Sequence, residues 1–166
     1  MPDVSTEVAI ATTTLGSAAS TITFNSISSA YTDLRLVFVG TSDTGTPYAN
    51  LRFNGDTGIN YSSTFMQATG SVATSVNYSD TNAMLIAANN TLSTTIPIMY
   101  EVDLFSYAGS VYKTILSKGS GDKNGTGIVD RFVGLWRSTS AINSITLYTT
   151  ANNFATGTKA TLYGIL

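Results

Sequence analysis

The chain contains no cysteine and no histidine among its 166 residues. Their absence excludes a disulfide framework and a zinc site built on cysteine or histidine. It also excludes the Ser-His-Asp and Cys-His sets of nucleophilic enzymes. Stability is therefore expected to come from packing and hydrogen bonds, without covalent cross-links.

Charged side chains are scarce: 8 Lys and Arg with 10 Asp and Glu make up 11% of the chain, against about a quarter in an average globular protein. Serine (20) and threonine (27) outnumber them by more than two to one. A net charge of −2 gives no electrostatic reason to expect binding to nucleic acid or to an anionic membrane. The surface is therefore expected to be hydrated through hydroxyl and amide groups.

Long hydrophobic runs are absent as well, since none approaches the roughly 20 residues of a membrane span. Residues 1–7 carry acids where a signal peptide carries bases. With 43% hydrophobic residues the chain is too apolar to be disordered, and its length suits one domain. We expect a single soluble domain over residues 1–166, made in the cytoplasm, with residues 1–14 as an extended arm or a first strand.

Alternation of apolar and polar residues with a period of two is the main pattern that is present, and it indicates β-strands. It is clear in five runs, at 21–24, 33–39, 98–104, 145–148 and 158–163. Four further strands are predicted at 8–13, 48–53, 112–117 and 131–136. Residues typical of turns separate the runs, at 40–47, at 54–56 and in a glycine-rich segment at 119–127.

Residues 62–95 are harder to interpret, because their alternation is weak. Within them, residues 83–88 fit either a short strand or one helical turn. No other segment has apolar residues at helical spacing over two turns. Eight to ten short strands at regular spacing predict an all-β fold, an antiparallel β-sandwich of jelly-roll type.

Glu101 and Asp103 are the strongest candidates for catalytic acids. They stand two apart on one predicted strand, so they share a face with their backbones roughly 7 Å apart. This resembles the separation between the two carboxyl groups of glycoside hydrolases. Two acids on one strand form no cleft unless a loop covers them, so the sequence favours a solvated or subunit-facing strand side, with a glycoside hydrolase as a third hypothesis.

Two loops resemble ligand-binding motifs in part. Residues 122–125 (Asp-Lys-Asn-Gly) begin like a calcium-binding EF-hand loop, but no glutamate follows at the required place. The Asn-Gly pair favours a hairpin turn instead. Residues 119–121 (Gly-Ser-Gly) could hold phosphate only ahead of a helix, whereas a strand is predicted to follow. No metal and no cofactor is therefore expected.

Trp136 and the neighbouring Arg137, with nine tyrosines elsewhere, suggest a platform for stacking on carbohydrate or a subunit interface. Core packing is an equally good interpretation of Trp136, because large aromatic side chains bury most of their area. The chain has only four Lys and three Pro with which to protect exposed sheet edges. This shortage favours burial of edges and faces in a permanent assembly.

Three stretches support a comparison with a known family. They read Leu-Arg-Phe-Asn-Gly-Asp-Thr-Gly-Ile-Asn-Tyr at 51–61, Val-Gly-Leu-Trp-Arg-Ser-Thr at 133–139, and Gly-Thr-Lys-Ala-Thr-Leu-Tyr-Gly-Ile at 157–165. With the segments 14–17 and 22–24 they resemble a family of tailed-bacteriophage virion proteins. The similarity spans most of the chain and is weakest over 62–95.

The resemblance implies a β-sandwich structural domain on the particle surface, without enzymatic activity. It favours a capsid decoration (cement) protein that binds the major capsid protein as a homo-oligomer. A homotrimer is favoured, because such proteins usually sit at three-fold positions. The alternative is a tail-fibre or baseplate domain that binds host-surface carbohydrate. No functional residues carry over, since the shared ones look architectural: residues 54–56 would turn a hairpin, with Phe53 and Tyr61 anchoring its two flanks.

Overall fold

The computed structural model describes residues 6–87, 91–122 and 124–166. Within these ranges the chain forms twelve β-strands and no helix. In chain order the strands are β1 (Glu7–Thr14), β2 (Thr21–Phe24), β3 (Asp33–Gly40), β4 (Ala49–Phe53), β5 (Tyr61–Ala68), β6 (Ala73–Thr81), β7 (Met84–Leu85), β8 (Ile98–Phe105), β9 (Lys113–Gly121), β10 (Ile128–Trp136), β11 (Ile145–Thr149) and β12 (Lys159–Ile165).

The strands form two antiparallel sheets. The larger has eight strands in the order β1-β12-β3-β8-β9-β10-β5-β6, and the smaller has four in the order β2-β11-β4-β7. This confirms the predicted all-β antiparallel β-sandwich, although the described residues hold twelve strands where eight to ten were expected. A jelly-roll arrangement is not confirmed.

The hydrophobic core lies between the two sheets. In β3, Leu34, Leu36 and Phe38 point inward and are fully buried, while Asp33 and Arg35 point outward. Each of the three buried side chains contributes about 1.5–3 kcal/mol relative to an exposed one. The same alternation occurs in β8, the neighbour of β3 in the eight-stranded sheet, and in β11 of the facing sheet, so one continuous cluster joins both sheets.

All nine predicted runs coincide with strands. Three further strands lie in the stretch that the sequence left hard to interpret, which in the structure begins at Tyr61. These are β5, β6 and β7. In β5 the inward positions after Tyr61 include Ser63 and Gln67, which are buried although polar, so the expected alternation is hidden. The alternative of a short strand at 83–88 is confirmed by β7, while residue 88 lies outside the described residues.

The connection from β4 to β5 corrects one expectation. Asn54 and Gly55 do form a tight turn, with φ of 52° and 69°, and the Asp56 amide donates to the Phe53 carbonyl at 2.9 Å. However, β4 belongs to the four-stranded sheet and β5 to the eight-stranded sheet. The predicted hairpin is therefore wrong, because loop 54–60 crosses between the two sheets instead of joining neighbours in one.

Candidate interaction surface

Trp136 lies in the core and is only 2% exposed. Its indole packs against Phe53, with ring centroids 5.5 Å apart, and stacks on Tyr61 at 6.4 Å. The indole Nε1 donates to Asp56 Oδ2 at 2.8 Å. No face of the ring is open to a sugar, so the stacking prediction for Trp136 is wrong and the core interpretation is correct.

Arg137 is engaged within the domain. Its guanidinium donates to the carbonyl of Ile59 and to Asp80 Oδ1, the latter at 2.6 Å. The backbone amide of Arg137 also donates to the Asn60 carbonyl at 2.8 Å. Arg137 thus links the end of β10 to loop 54–60 and to β6. Because Trp136 is buried, the two residues do not form an exposed platform together.

Asp56 holds these groups together. Its carboxylate accepts hydrogen bonds from the Gly58 amide at 2.8 Å, from Asn60 Nδ2 at 3.0 Å and from Trp136. Burial alone would raise the pKa of Asp56, but these hydrogen bonds outweigh it and the pKa lies below its ordinary value. Two of the three stretches that carry the family resemblance therefore meet at one carboxylate.

Tyr61 completes this cluster from the start of β5. Its hydroxyl accepts from the Phe53 amide at 3.2 Å and donates to the Asp56 carbonyl at 3.1 Å. Burial raises the pKa of Tyr61 to about 12. Phe53 and Tyr61 do flank the turn in contact, with ring centroids 6.0 Å apart, as the resemblance implied. Sequence reasoning missed the role of Asp56, although its position after Asn-Gly was visible.

Glu101 and Asp103 share the outward face of β8, as their spacing predicts. Arg35 Nε lies 2.7 Å from Asp103 Oδ1 and 3.3 Å from Glu101 Oε1, and Lys118 also pairs with Glu101. Arg35 reaches Glu7 on β1 as well. These ion pairs link four strands across the outer face of the sheet. The geometry agrees with the interpretation of both acids as part of a solvated or subunit-facing side of a strand.

The two loop motifs have separate outcomes. Gly119 and Gly121 lie within β9, so the loop prediction for 119–121 is wrong. β9 and β10 pair antiparallel from Gly121 opposite Ile128, in agreement with the predicted hairpin, and beside this end the Gly125 amide donates to Asp122 Oδ1 at 2.7 Å. Lys123 lies outside the described residues. Among those described, no three acidic side chains come close enough to hold a metal ion.

The outer face of the eight-stranded sheet carries a row across six neighbouring strands that is apolar except for one serine. We call it the outer row, and its members are direct cross-strand partners: Val39, Met99, Ser120, Val129, Ala68 and Ala73. Val129 is 59% exposed, and Met66, which lines the same groove, is 66% exposed. The groove holds about 650 Å³. Contiguous apolar surface of this kind marks sites of interaction with other molecules.

Comparisons with known proteins do not assign this surface. No protein-family model, no curated protein and no solved structure matches the chain. In the described part of the chain, no helix has the length and hydrophobicity needed to cross a membrane.

Proposed function

We propose that the chain is a non-enzymatic structural protein of a tailed-bacteriophage virion, and specifically a capsid decoration (cement) protein on the particle surface. It would bind the major capsid protein as a homo-oligomer, with a trimer favoured by the resemblance. The observation that carries the proposal is the outer row. A largely apolar strip that crosses six strands is suited to burial against another protein.

The mechanism of such a protein is mechanical. Burial of apolar surface contributes about 25 cal/mol for each Å² removed from water. A protein that binds only the assembled shell stabilises that shell by mass action. Two cations, Lys118 and Arg131, line the groove beside the outer row, and Lys118 pairs with Glu101, so the surface that covers the groove is expected to place acidic or carbonyl groups opposite them.

The proposal is tested by co-sedimentation of the purified chain with phage shells that lack it. We expect the wild type to pellet with the shells and Val129→Lys to stay in the supernatant. The new lysine would add a third cation to the groove lined by Lys118 and Arg131, and such charges are costly to bury unpaired. Val111→Lys is the matched control. Val111 is equally exposed, at 58%, but lies in the turn that precedes β9, whereas Val129 pairs with its far end.

Wild-type chain that stays off the shells would overturn the proposal. Equal capture of Val129→Lys and the wild type would refute the role of the outer row. Binding to host cells, with none to shells, would support the tail-fibre or baseplate alternative.

A further inference from the structure

β6 ends the eight-stranded sheet as an unprotected edge. Its nine residues read Ala-Thr-Ser-Val-Asn-Tyr-Ser-Asp-Thr and include no Lys, no Arg and no Pro, the residues that usually block further strand pairing. Eight of the nine are exposed. The one charged residue, Asp80, is paired with Arg137 of the same chain. An additional strand would therefore meet backbone hydrogen-bonding groups without a charge to desolvate.

A row of apolar side chains on the inner face extends to this edge, where its last members are exposed to solvent. Phe132 stacks on Phe65 with centroids 4.9 Å apart, and Phe65 stacks on Tyr78 at 5.9 Å. Val76 lies directly opposite Phe65 in the pairing of β5 with β6. Val76 is 41% exposed and Tyr78 is 45% exposed, whereas both phenylalanines are buried. The row would be completed by apolar side chains of one more strand.

The other edge of the sheet does not match β6. β1 carries Glu7, and its pairing with β12 has a register shift between Ala9 and Ala11. Bulges and charges of this kind protect an edge from continued pairing. A head-to-tail ring, in which β1 of one copy pairs with β6 of the next, would place this irregular strand against the regular one. The strand that fits β6 best is another β6.

We infer that β6 is an interface for a second copy of this chain, which pairs through its own β6 in antiparallel orientation about a two-fold axis at Val76. The regular part of β6 sets the register, because the shift between Tyr61 and Ser63 and the positive φ of Asp80 make its end irregular. Directly opposite residues in an antiparallel pair lie on the same face of the sheet. A residue at the two-fold axis must therefore lie opposite its own counterpart if the inner rows of the two copies are to join.

This register gives complementary pairs on both faces. On the inner face Val76 meets its counterpart and Thr74 meets Tyr78, which are combinations of β-branched and aromatic residues that favour pairing. On the outer face Ser75 meets Asn77, and both can form hydrogen bonds. The two Asp80 side chains lie at opposite ends of the contact, so no like charges face each other. The contact joins copies in pairs and is independent of the proposed trimer.

The first test is the mass of the particle in solution, measured by light scattering after gel filtration. We expect wild-type chain to form an even multiple of 17.4 kDa and Val76→Lys to have half the wild-type mass, because two lysines would face each other at the axis. Val111→Lys, an equally simple change at an exposed valine elsewhere, should keep the wild-type mass. Wild-type chain that is monomeric at 100 µM would overturn the inference. If both the wild type and Val76→Lys have the mass of three copies, the inference would also be overturned, and the proposed trimer would stand.

The second test reads the register directly, since the natural chain has no cysteine. Under mild oxidation Val76→Cys should form a covalent dimer, because directly opposite Cα atoms lie within the roughly 7 Å that a disulfide can span. Ser75→Cys and Asn77→Cys are the controls, and each should remain at least tenfold less cross-linked, because its own counterpart lies two residues away along the strand. Equal cross-linking at all three positions would refute the contact.

Discussion

Asp56 shows how much one side chain can organise when its acceptors are all used. It closes loop 54–60, fixes the indole of Trp136 and so secures the passage between the two sheets. Asparagine is nearly the same size but replaces one acceptor oxygen with a donor. In Asp56→Asn a donor would face the donors of Trp136 or Gly58, and leaving them unsatisfied costs about 1–3 kcal/mol.

We therefore expect Asp56→Asn to lower the free energy of unfolding by about 1–3 kcal/mol at pH 7, measured by urea denaturation. The folded-state pKa of Asp56 lies below its ordinary value of 3.8, so the wild type keeps this contribution above that pH and loses it as the pH falls further. The difference between the two proteins should narrow at pH 3. Asp43→Asn, at an exposed carboxylate bonded to Asn153, should change stability less. A difference that does not vary with pH would contradict this account.

Single residues also mark what the sequence could not predict. Lys113 occupies an inward position of β9 and is fully buried, where alternation would place an apolar residue. Its Nζ donates to the carbonyl of Gly109 at 2.6 Å and to that of Val111. Burial lowers the pKa of Lys113. Only the folded turn between β8 and β9 brings these carbonyls to the ammonium group, so no local sequence pattern predicts the arrangement.

Among the elements, β9 depends on a glycine where two neighbouring strands bring large groups together. Gly119 lies between Tyr100 on β8 and Asp130 on β10, and the Tyr100 hydroxyl donates across it to Asp130 Oδ2 at 3.3 Å. A Cβ at Gly119 would lie 2.1 Å from the tyrosine ring. The glycine-rich sequence at 119–121 thus serves close packing inside a strand.

Gly119→Ala should destabilise the protein by about 1–3 kcal/mol, because the tyrosine ring or the strand must shift to admit the methyl group. Gly16→Ala is the control, since nothing lies within 4 Å of an added Cβ there, and it should have little effect. Thermal unfolding of both variants checks the difference. Equal melting temperatures would show that the ring moves aside without cost.

The elements differ in how far their sequence predicts them. β3 and β8 are buried on one face and exposed on the other, so their alternation is plain. β5 buries polar residues, and β6 is exposed on both faces apart from its last residue. Alternation reports a difference in environment between two faces, and where that difference is absent the pattern disappears. Trp136 and Asp56 were separately visible in the sequence, but their contact depends on the pairing of distant strands.

For the whole molecule, the sheet order predicts a gradient of local stability. β3, β8 and β12 have a neighbour on each side, whereas β1 and β6 are edges. Amide hydrogen exchange followed by mass spectrometry should show slow exchange in the central strands and fast exchange in β1. Exchange in β6 should slow as protein concentration rises, because pairing with a second copy protects it. Exchange in β6 that is fast at every concentration would contradict the two-fold contact.

The pairing of the first strand with the last has a mechanical consequence. Glu7 lies opposite Ile165, and the Leu166 amide donates to the Thr6 carbonyl at 3.0 Å. Both ends of the described chain thus leave the sheet at one corner, and tension applied between them would load the β1–β12 hydrogen bonds one after another, as in a zipper. A force spread over the broad sheet would instead be shared among many bonds at once. We therefore expect a low unfolding force when the domain is pulled by its ends and a high resistance when its sheet face is compressed.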